Sequence, residues 1–140
     1  MELVKIRWTE GLDGFDEVYQ VRKEVFIGEQ DIPEELEIDP IATHITIFDK
    51  NKPIAIGRLF KKNDMFYIGR VCVISNSRDR GFGRLVMKEL IKKGKHEGAI
   101  EMHLSSRIRA MGFYKKFGFC EYEGIHYDAG IAHIGCAFVW

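Results

Sequence analysis

Val71-Cys72-Val73-Ile74-Ser75-Asn76-Ser77-Arg78-Asp79-Arg80-Gly81-Phe82-Gly83-Arg84 is the stretch that decides how this chain is read. Residues 71 to 74 form a short, largely β-branched run with strand character. Ser75, Asn76 and Ser77 favour a turn, and from Arg78 onward an amphipathic helical pattern begins. Strand, turn and glycine-bearing helix start together make an anion site, because the first amides of a helix lack intrahelical partners. Those amides also sit at the positive end of the macrodipole, equivalent to roughly half an elementary charge. Gly81 and Gly83 remove the Cβ atoms that would keep a phosphate away from the main chain. Arg78, Arg80 and Arg84 add planar donors suited to phosphate oxygens. The expected ligand is a phosphate-bearing cofactor.

The spacing narrows the choice. A dinucleotide fingerprint needs G-x-G-x-x-G, and Val86 stands where its third glycine would be; no Walker-type G-x-x-x-x-G-K-[ST] run occurs either. The pattern present is R-x-x-G-x-G directly after a hydrophobic strand. It resembles the pyrophosphate-binding signature of the GNAT N-acetyltransferase superfamily, in which this loop holds acetyl-coenzyme A. The resemblance implies cofactor contacts from Val71, Cys72, Val73, Arg78, Asp79, Arg80, Gly81, Phe82, Gly83 and Arg84, the strand edge at 71–73 holding the pantetheine arm.

Composition is compatible with this reading. The 140 residues are 46% apolar and 30% charged, with 21 basic and 21 acidic side chains, as in an ordinary globular domain. Zero net charge argues against a nucleic-acid partner. Glu2, Lys5 and Arg7 interrupt any signal-peptide core, and no apolar run approaches a membrane span. Cys72, Cys120 and Cys136 are widely spaced without a C-x-x-C, which predicts reduced thiols in a cytoplasmic protein, with neither disulfides nor a metal site.

The chain has no repeat, low-complexity tract or linker, so one domain over 1–140 is expected. Leu3 to Trp8 predicts a first strand. Phe15, Val18, Tyr19, Val25 and Phe26 then follow helical spacing, with Asp13 or Asp16 as cap and Gly28 as terminator. Strands are expected over 41–48, 53–60 and 65–74, joined by tight polar turns. A helix over 81–96 buries Phe82, Leu85, Val86, Leu90 and Ile91, and a strand over 99–104 follows. Ile108, Met111, Tyr114 and Phe117 mark a helix capped by Gly118, before strands over 119–122 and 131–139. This order predicts an α/β (α+β) fold: a mixed, largely antiparallel sheet of about seven strands flanked by helices. The unit from 65 to 104 is the place for parallel, right-handed connectivity.

Further segments extend the resemblance. Ala110-Met111-Gly112-Phe113-Tyr114-Lys115-Lys116-Phe117-Gly118-Phe119 resembles the GNAT pattern A-x-x-[FL]-Y-x-x-x-G-F. It implies that Tyr114 touches the cofactor near its thioester sulfur and acts as general acid toward the departing thiolate; the alternative is a purely packing tyrosine. Gly130-Ile131-Ala132-His133-Ile134-Gly135 resembles the G-I-P-H-I-G-M ending of the ElaA-like, YjcF-like branch, with Ala132 for proline and Cys136 for methionine. Arg22-Lys23-Glu24-Val25-Phe26-Ile27-Gly28-Glu29-Gln30 resembles that branch's R-x-x-V-F-x-x-E-Q, with Asp39 and His44 following. Substrate contacts from Arg22, Phe26, Glu29 and His44 are implied.

Acetyl transfer needs a neutral amine, yet an amine of pKa near 10.4 is about 99.9% protonated at pH 7. A general base is therefore useful, and histidine has a suitable reference value. The resemblance makes His133 the first candidate, against an orienting or core histidine, with Glu29 and His44 behind it. Direct attack on the thioester is implied, a main-chain N–H near Val73 stabilising the oxyanion. Cys72 is set aside as a nucleophile because buried strand cysteines are commonplace.

Two positions depart from the family pattern. Asp79 stands at the first glycine of R-G-x-G-x-G, bringing a carboxylate near a pyrophosphate unless it faces solvent or pairs with Arg80. Ser105-Ser106-Arg107 replaces an Asn or an Ala-Gln pair. Residues 29–39 hold six acidic side chains and no basic one, either a solvated loop or a mouth that attracts a cationic small-molecule or peptide amine. The function expected is N-acetyl transfer from acetyl-CoA to a primary amine. The alternative is a non-catalytic acyl-CoA sensor. The apolar tail Ala137-Phe138-Val139-Trp140 suits a homodimer contact as well as a core.

Overall fold

Seven strands form one sheet in the computed structural model, which describes residues 3–25, 39–128 and 131–139. In chain order the strands are β1 (Val4–Glu10), β2 (Thr43–Asp49), β3 (Lys52–Lys62), β4 (Met65–Val73), β5 (Glu101–Arg107), β6 (Cys120–Asp128) and β7 (Ile131–Val139). The helices are α1 (Phe15–Arg22), α2 (Phe82–His96) and α3 (Met111–Lys115). The sheet order is β1-β2-β3-β4-β5-β7-β6, antiparallel throughout except for the β4–β5 pair. The mixed, mostly antiparallel sheet and the parallel crossover through α2 match the sequence expectation.

Local chemistry explains the meander. Lys50 and Asn51 both take positive φ (53° and 67°), as do Asn63 and Asp64 (52° and 63°). Two consecutive left-handed residues make the turn whose twist matches that of paired strands, and Asn and Asp tolerate that region best after glycine.

Parallel pairing of β4 with β5 is brief. It covers Phe66↔Met102, Tyr67↔His103 and Ile68↔Leu104, although β4 runs on to Val73 and β5 to Arg107. On its other side β4 carries one residue too many: Ile56 pairs with Cys72, but Arg58 pairs with Gly69. Arg70, at φ 50°, lies in that bulge. A bulge bends its strand and increases local twist, so the second half of β4 turns away from β5 and leaves a gap.

Helices cover both faces. Successive residues of a strand point to opposite sides: Arg58 meets Asp39 beside α1, while Gly57 lies beneath α2. A Cβ at Gly57 would stand 2.7 Å from Val86 Cγ1 and 2.8 Å from Leu90 Cδ1. Both of those side chains are wholly buried. Val86, Met87 and Leu90 of α2 join Ile45, Ile47, Ile56, Met102 and Phe119 in one hydrophobic core.

Several boundaries differ from expectation. α1 starts from Gly14 in the left-handed region with no side-chain cap, so neither Asp13 nor Asp16 plays that part; a wider turn over 23–25 follows it. Phe26 and Gly28 lie outside the described residues. Gly81 is the N-cap of α2, not its first residue. The stripe beginning at Ile108 opens as a 3₁₀ turn, Ile108–Ala110, before five α-helical residues. β6 extends to Asp128, because pairing with β7 continues through residues too polar to mark a strand by pattern.

Gly57→Ala should destabilise the fold by about 1–3 kcal/mol, since two buried branched side chains must move. Urea denaturation followed by circular dichroism measures it; a midpoint equal to wild type would mean that the α2–β3 contact yields freely.

Candidate active site

The expected strand, turn and helix follow one another as β4, a 3₁₀ turn over Ser75–Ser77 and α2. α2 begins at Gly81 (φ 86°), and no side chain caps its first turn. The amides of Phe82, Gly83 and Arg84 precede the first available intrahelical acceptor, the Gly81 carbonyl oxygen taken by Leu85 N–H. Asp79 explains how the loop tolerates a missing glycine: it adopts φ 62°, left-handed backbone that Asp enters more readily than most residues. Arg78 Nε donates to the Val73 carbonyl oxygen at 2.9 Å, fastening the loop to the end of β4.

A cavity of about 980 Å³ opens in front of this helix start. It gathers Val71, Cys72, Val73, Arg78, Asp79, Gly81, Phe82, Gly83, Arg84 and Tyr114, all expected as cofactor contacts. Arg80 is not on its wall. Its guanidinium lies 3.2 Å from the Asp49 carboxylate and over the Phe82 ring, so the pairing with Asp79 does not form and Arg80 braces the loop against the β2–β3 turn. Sequence reasoning missed Lys88, Lys116, Phe113 and Phe117 on the same wall. The i, i+4 spacing of Arg84 with Lys88 and of Phe113 with Phe117 was the available signal. Phe113 closes over Gly83, where a Cβ would meet its ring at 3.4 Å.

A second cavity, about 450 Å³, occupies the gap between β4 and β5. Val71, Cys72, Val73, Arg78, Ala110 and Tyr114 border both cavities. His133 of β7, buried and in register with Arg107, faces the second, as do Ser105 and Arg107. Ile74 N–H donates to Ile54 O on β3 at 2.9 Å. Successive amides of a strand point to opposite edges, so the Val73 N–H is aimed into the gap. Tyr114 is half-buried in the seam between the cavities. Burial pushes its phenol up to about 12, with the Cys72 and Cys136 thiols acting in the same direction, so it is a protonated donor at neutral pH.

Arg22 and His44, expected at the substrate, lie elsewhere. Both are buried against Asp39, itself wholly inaccessible. Arg22 donates from Nη1 and Nη2 to Asp39 Oδ2 and Oδ1 at 2.6 and 3.1 Å, and Arg58 Nη1 donates to Oδ1 at 2.9 Å. Burial alone would raise the Asp39 carboxyl, but hydrogen bonds and charge from Arg22, then Arg58, outweigh it and hold the group below its ordinary range. Burial pushes the His44 imidazole down, against the Asp39 carbonyl, which its Nε2 meets at 3.2 Å. The acidic stretch therefore ends in a residue turned inward. Phe26, Glu29 and the remainder of that stretch through residue 38 lie outside the described residues. Cys72, Cys120 and Cys136 are free thiols. Among the described residues no group of His, Cys, Asp and Glu is placed to hold a metal, and no helix is long and apolar enough to cross a membrane.

The seven-stranded mixed sheet with its flanking helices is an acyltransferase fold. An acyl-CoA N-acyltransferase from Pseudomonas aeruginosa superposes with a TM-score of 0.87 over 97% of this chain and 99% of its own, at 22% identity. ElaA of Escherichia coli does so at 0.85, over 96% and 99%, with 23% identity. Residues 8–119 match the Acetyltransferase (GNAT) family, to which this chain belongs. It is 37% identical over 124 residues to the uncharacterized N-acetyltransferase YjcF of Bacillus subtilis (strain 168), covering 84% of this chain and 87% of the relative. The chain is thus an acyl-CoA-dependent acetyltransferase.

The buried His44 makes a pH prediction. Its folded-state pKa is depressed, so below about 6.5 the unfolded chain takes up a proton that the folded protein resists. Stability is therefore full above that value and falls as pH drops beneath it. Asp39, also depressed, contributes stability that is present above its unfolded value of 3.8 and is lost only as pH falls through its lower folded value. Thermal melts from about pH 7.5 to about 5 should show a declining Tm, and His44→Gln should flatten that decline. An equal slope in both proteins would remove His44 as its source.

Proposed function

We propose that the protein transfers the acetyl group of acetyl-CoA to a primary amine of a small molecule or peptide by direct attack, without a covalent enzyme intermediate. The observation that carries this reading is the shared seam: Tyr114 and the 71–73 edge of β4 border both the cavity at the helix start and the cavity in the β4–β5 gap. Donor and acceptor entering from opposite ends would meet there.

The fit to the donor rests on three features. The α2 amides and Arg78 face the space a diphosphate needs. Gly81 has nothing within 4 Å of where a Cβ would stand, leaving that approach open. The main chain of β4 beyond Ile68 has no β5 ladder, so the amides on that edge, the Val73 N–H among them, are available to an amide-bearing arm lying along it.

The roles follow from position. The Val73 N–H donates to the thioester oxygen as it gains charge. Tyr114, held protonated, delivers its proton to the departing sulfur. His133, across the acceptor cavity, removes a proton from the attacking amine. Arg80 takes no part; Arg22, Asp39 and His44 act beneath the site, with Arg58 at the edge of the acceptor cavity, by holding α1 to β2 and β3.

A thiol-release assay with acetyl-CoA and a panel of amines tests this. Wild type should release CoA with some amines. His133→Ala and Tyr114→Phe should each lower kcat by about 10²- to 10⁴-fold while retaining acetyl-CoA binding by calorimetry. Equal rates in all three proteins would remove both roles. Stoichiometric acetyl-CoA binding without turnover on any amine would identify a sensor instead.

A further inference from the structure

A third cavity, about 380 Å³, lies beside the β4–β5 gap and is bounded by Tyr67, His103, Tyr122, Glu123 and Gly135. It joins the acceptor side of the site, because Tyr67 and Ser105 line both spaces. A run of rings contributed by four strands passes along it. Phe60 stacks on Tyr67 at 5.3 Å, Tyr67 lies 5.7 Å from His103, and His103 meets Tyr122 edge-on at 5.0 Å.

The strand geometry that makes this cavity is unusual. β6 is bulged twice in succession against β7: Glu121 pairs with Cys136, Glu123 with Gly135 and Ile125 with Ile134. Tyr122 and Gly124 are the extra residues. Bulges re-aim side chains, and these two set Glu123 directly opposite a glycine. A Cβ at Gly135 would stand 3.0 Å from Glu123 Cβ. Gly135 is thus the residue that admits the Glu123 stem, which accounts for the second glycine of the 130–135 motif.

The chemistry of the lining favours a cation. Among the described residues the cavity has Glu123 on its wall and neither lysine nor arginine. The acceptor cavity has the opposite character, with Arg58, Arg70, Arg78, Arg107 and Arg109 and no carboxylate among the described residues. His103 is 4% exposed, and its Nε2 makes no hydrogen bond although Glu101 Oε2 lies 3.5 Å away. Faces of Tyr and neighbouring rings attract an ammonium group, and a carboxylate beside them adds to that attraction. Tyr122, 60% exposed, leaves the cavity reachable from solvent.

We propose that this cavity is a specificity site for the far end of the acceptor, and that the acceptor carries a second, non-reacting cationic amine seated among Tyr67, His103 and Tyr122 and paired with Glu123. The proposal rests on the transferase reading above and assigns it a substrate class: diamines and longer polyamines, or peptides with a cationic side chain near the reacting amine.

The test compares matched pairs of equal chain length, α,ω-diaminoalkanes against 1-aminoalkanes from butyl to octyl, as acceptors in the thiol-release assay. At the best length the diamine should be favoured in kcat/KM by at least about tenfold. Glu123→Gln and Tyr122→Ala, both at exposed positions, should contract that preference by about tenfold through a higher KM for the diamine, with little change in kcat. Equal use of diamine and monoamine, or a preference that survives both substitutions, would overturn the proposal while leaving the transferase reading intact. If no amine is acetylated, the transferase reading fails separately, and calorimetry decides the cavity. Diamine binding to the CoA-saturated protein that is lost in Glu123→Gln supports a cation site; no binding, or binding unchanged by the substitution, refutes it.

Discussion

The site depends on an interruption of hydrogen bonding. β4 and β5 pair for three residues and then part, because the bulge at Arg70 turns β4 while β5 continues straight into its pairing with β7. Unpaired strand backbone is costly when buried, so a gap of this kind persists where something else meets its polar groups. In this chain the gap lies between a helix start with free amides and a histidine on β7. The two cavities and the tyrosine between them all follow from that divergence.

A buried ionic cluster supports this geometry from the other face. Asp39 holds Arg22 at the end of α1 and Arg58 on β3, and its main-chain carbonyl engages His44 on β2. Such a cluster is a weak source of net stability, because desolvation offsets most of the attraction, yet loss of one member leaves uncompensated buried charge. Its value lies in position: three segments distant in sequence are fixed at one carboxylate. Gly69, the β4 residue paired with Arg58 across the bulge, lies against the same guanidinium, a Cβ there falling 3.2 Å from Arg58 Nε. The ionic cluster and the splayed strand are thereby joined.

Much of this was legible because the responsible features are local. The turns at Lys50-Asn51 and Asn63-Asp64, the helix start at Gly81 and the stripe through Met111 and Tyr114 are set by neighbours within a few residues. What sequence could not supply was pairing across the sheet. Arg80 looked like a phosphate ligand beside two others, but Asp49, thirty-one positions earlier, claims it. Arg22 and His44 looked like substrate contacts until Asp39 drew both inward. The two bulges of β6 were invisible, since an extra residue shows only against its partner strand. Asp79 is the instructive intermediate: its charge suggested a conflict with phosphate, whereas its left-handed backbone shows why a short polar residue can stand where the family uses glycine.

The most direct measurement is a titration of the isotopically labelled protein with CoA, followed by the backbone amide resonances. The account predicts that the largest shifts fall on the amides of Phe82, Gly83 and Arg84 and along residues 71–73, with His133 and the β6–β7 bulges affected little. Saturable binding whose shifts map to another surface, with residues 78–84 unmoved, would contradict it.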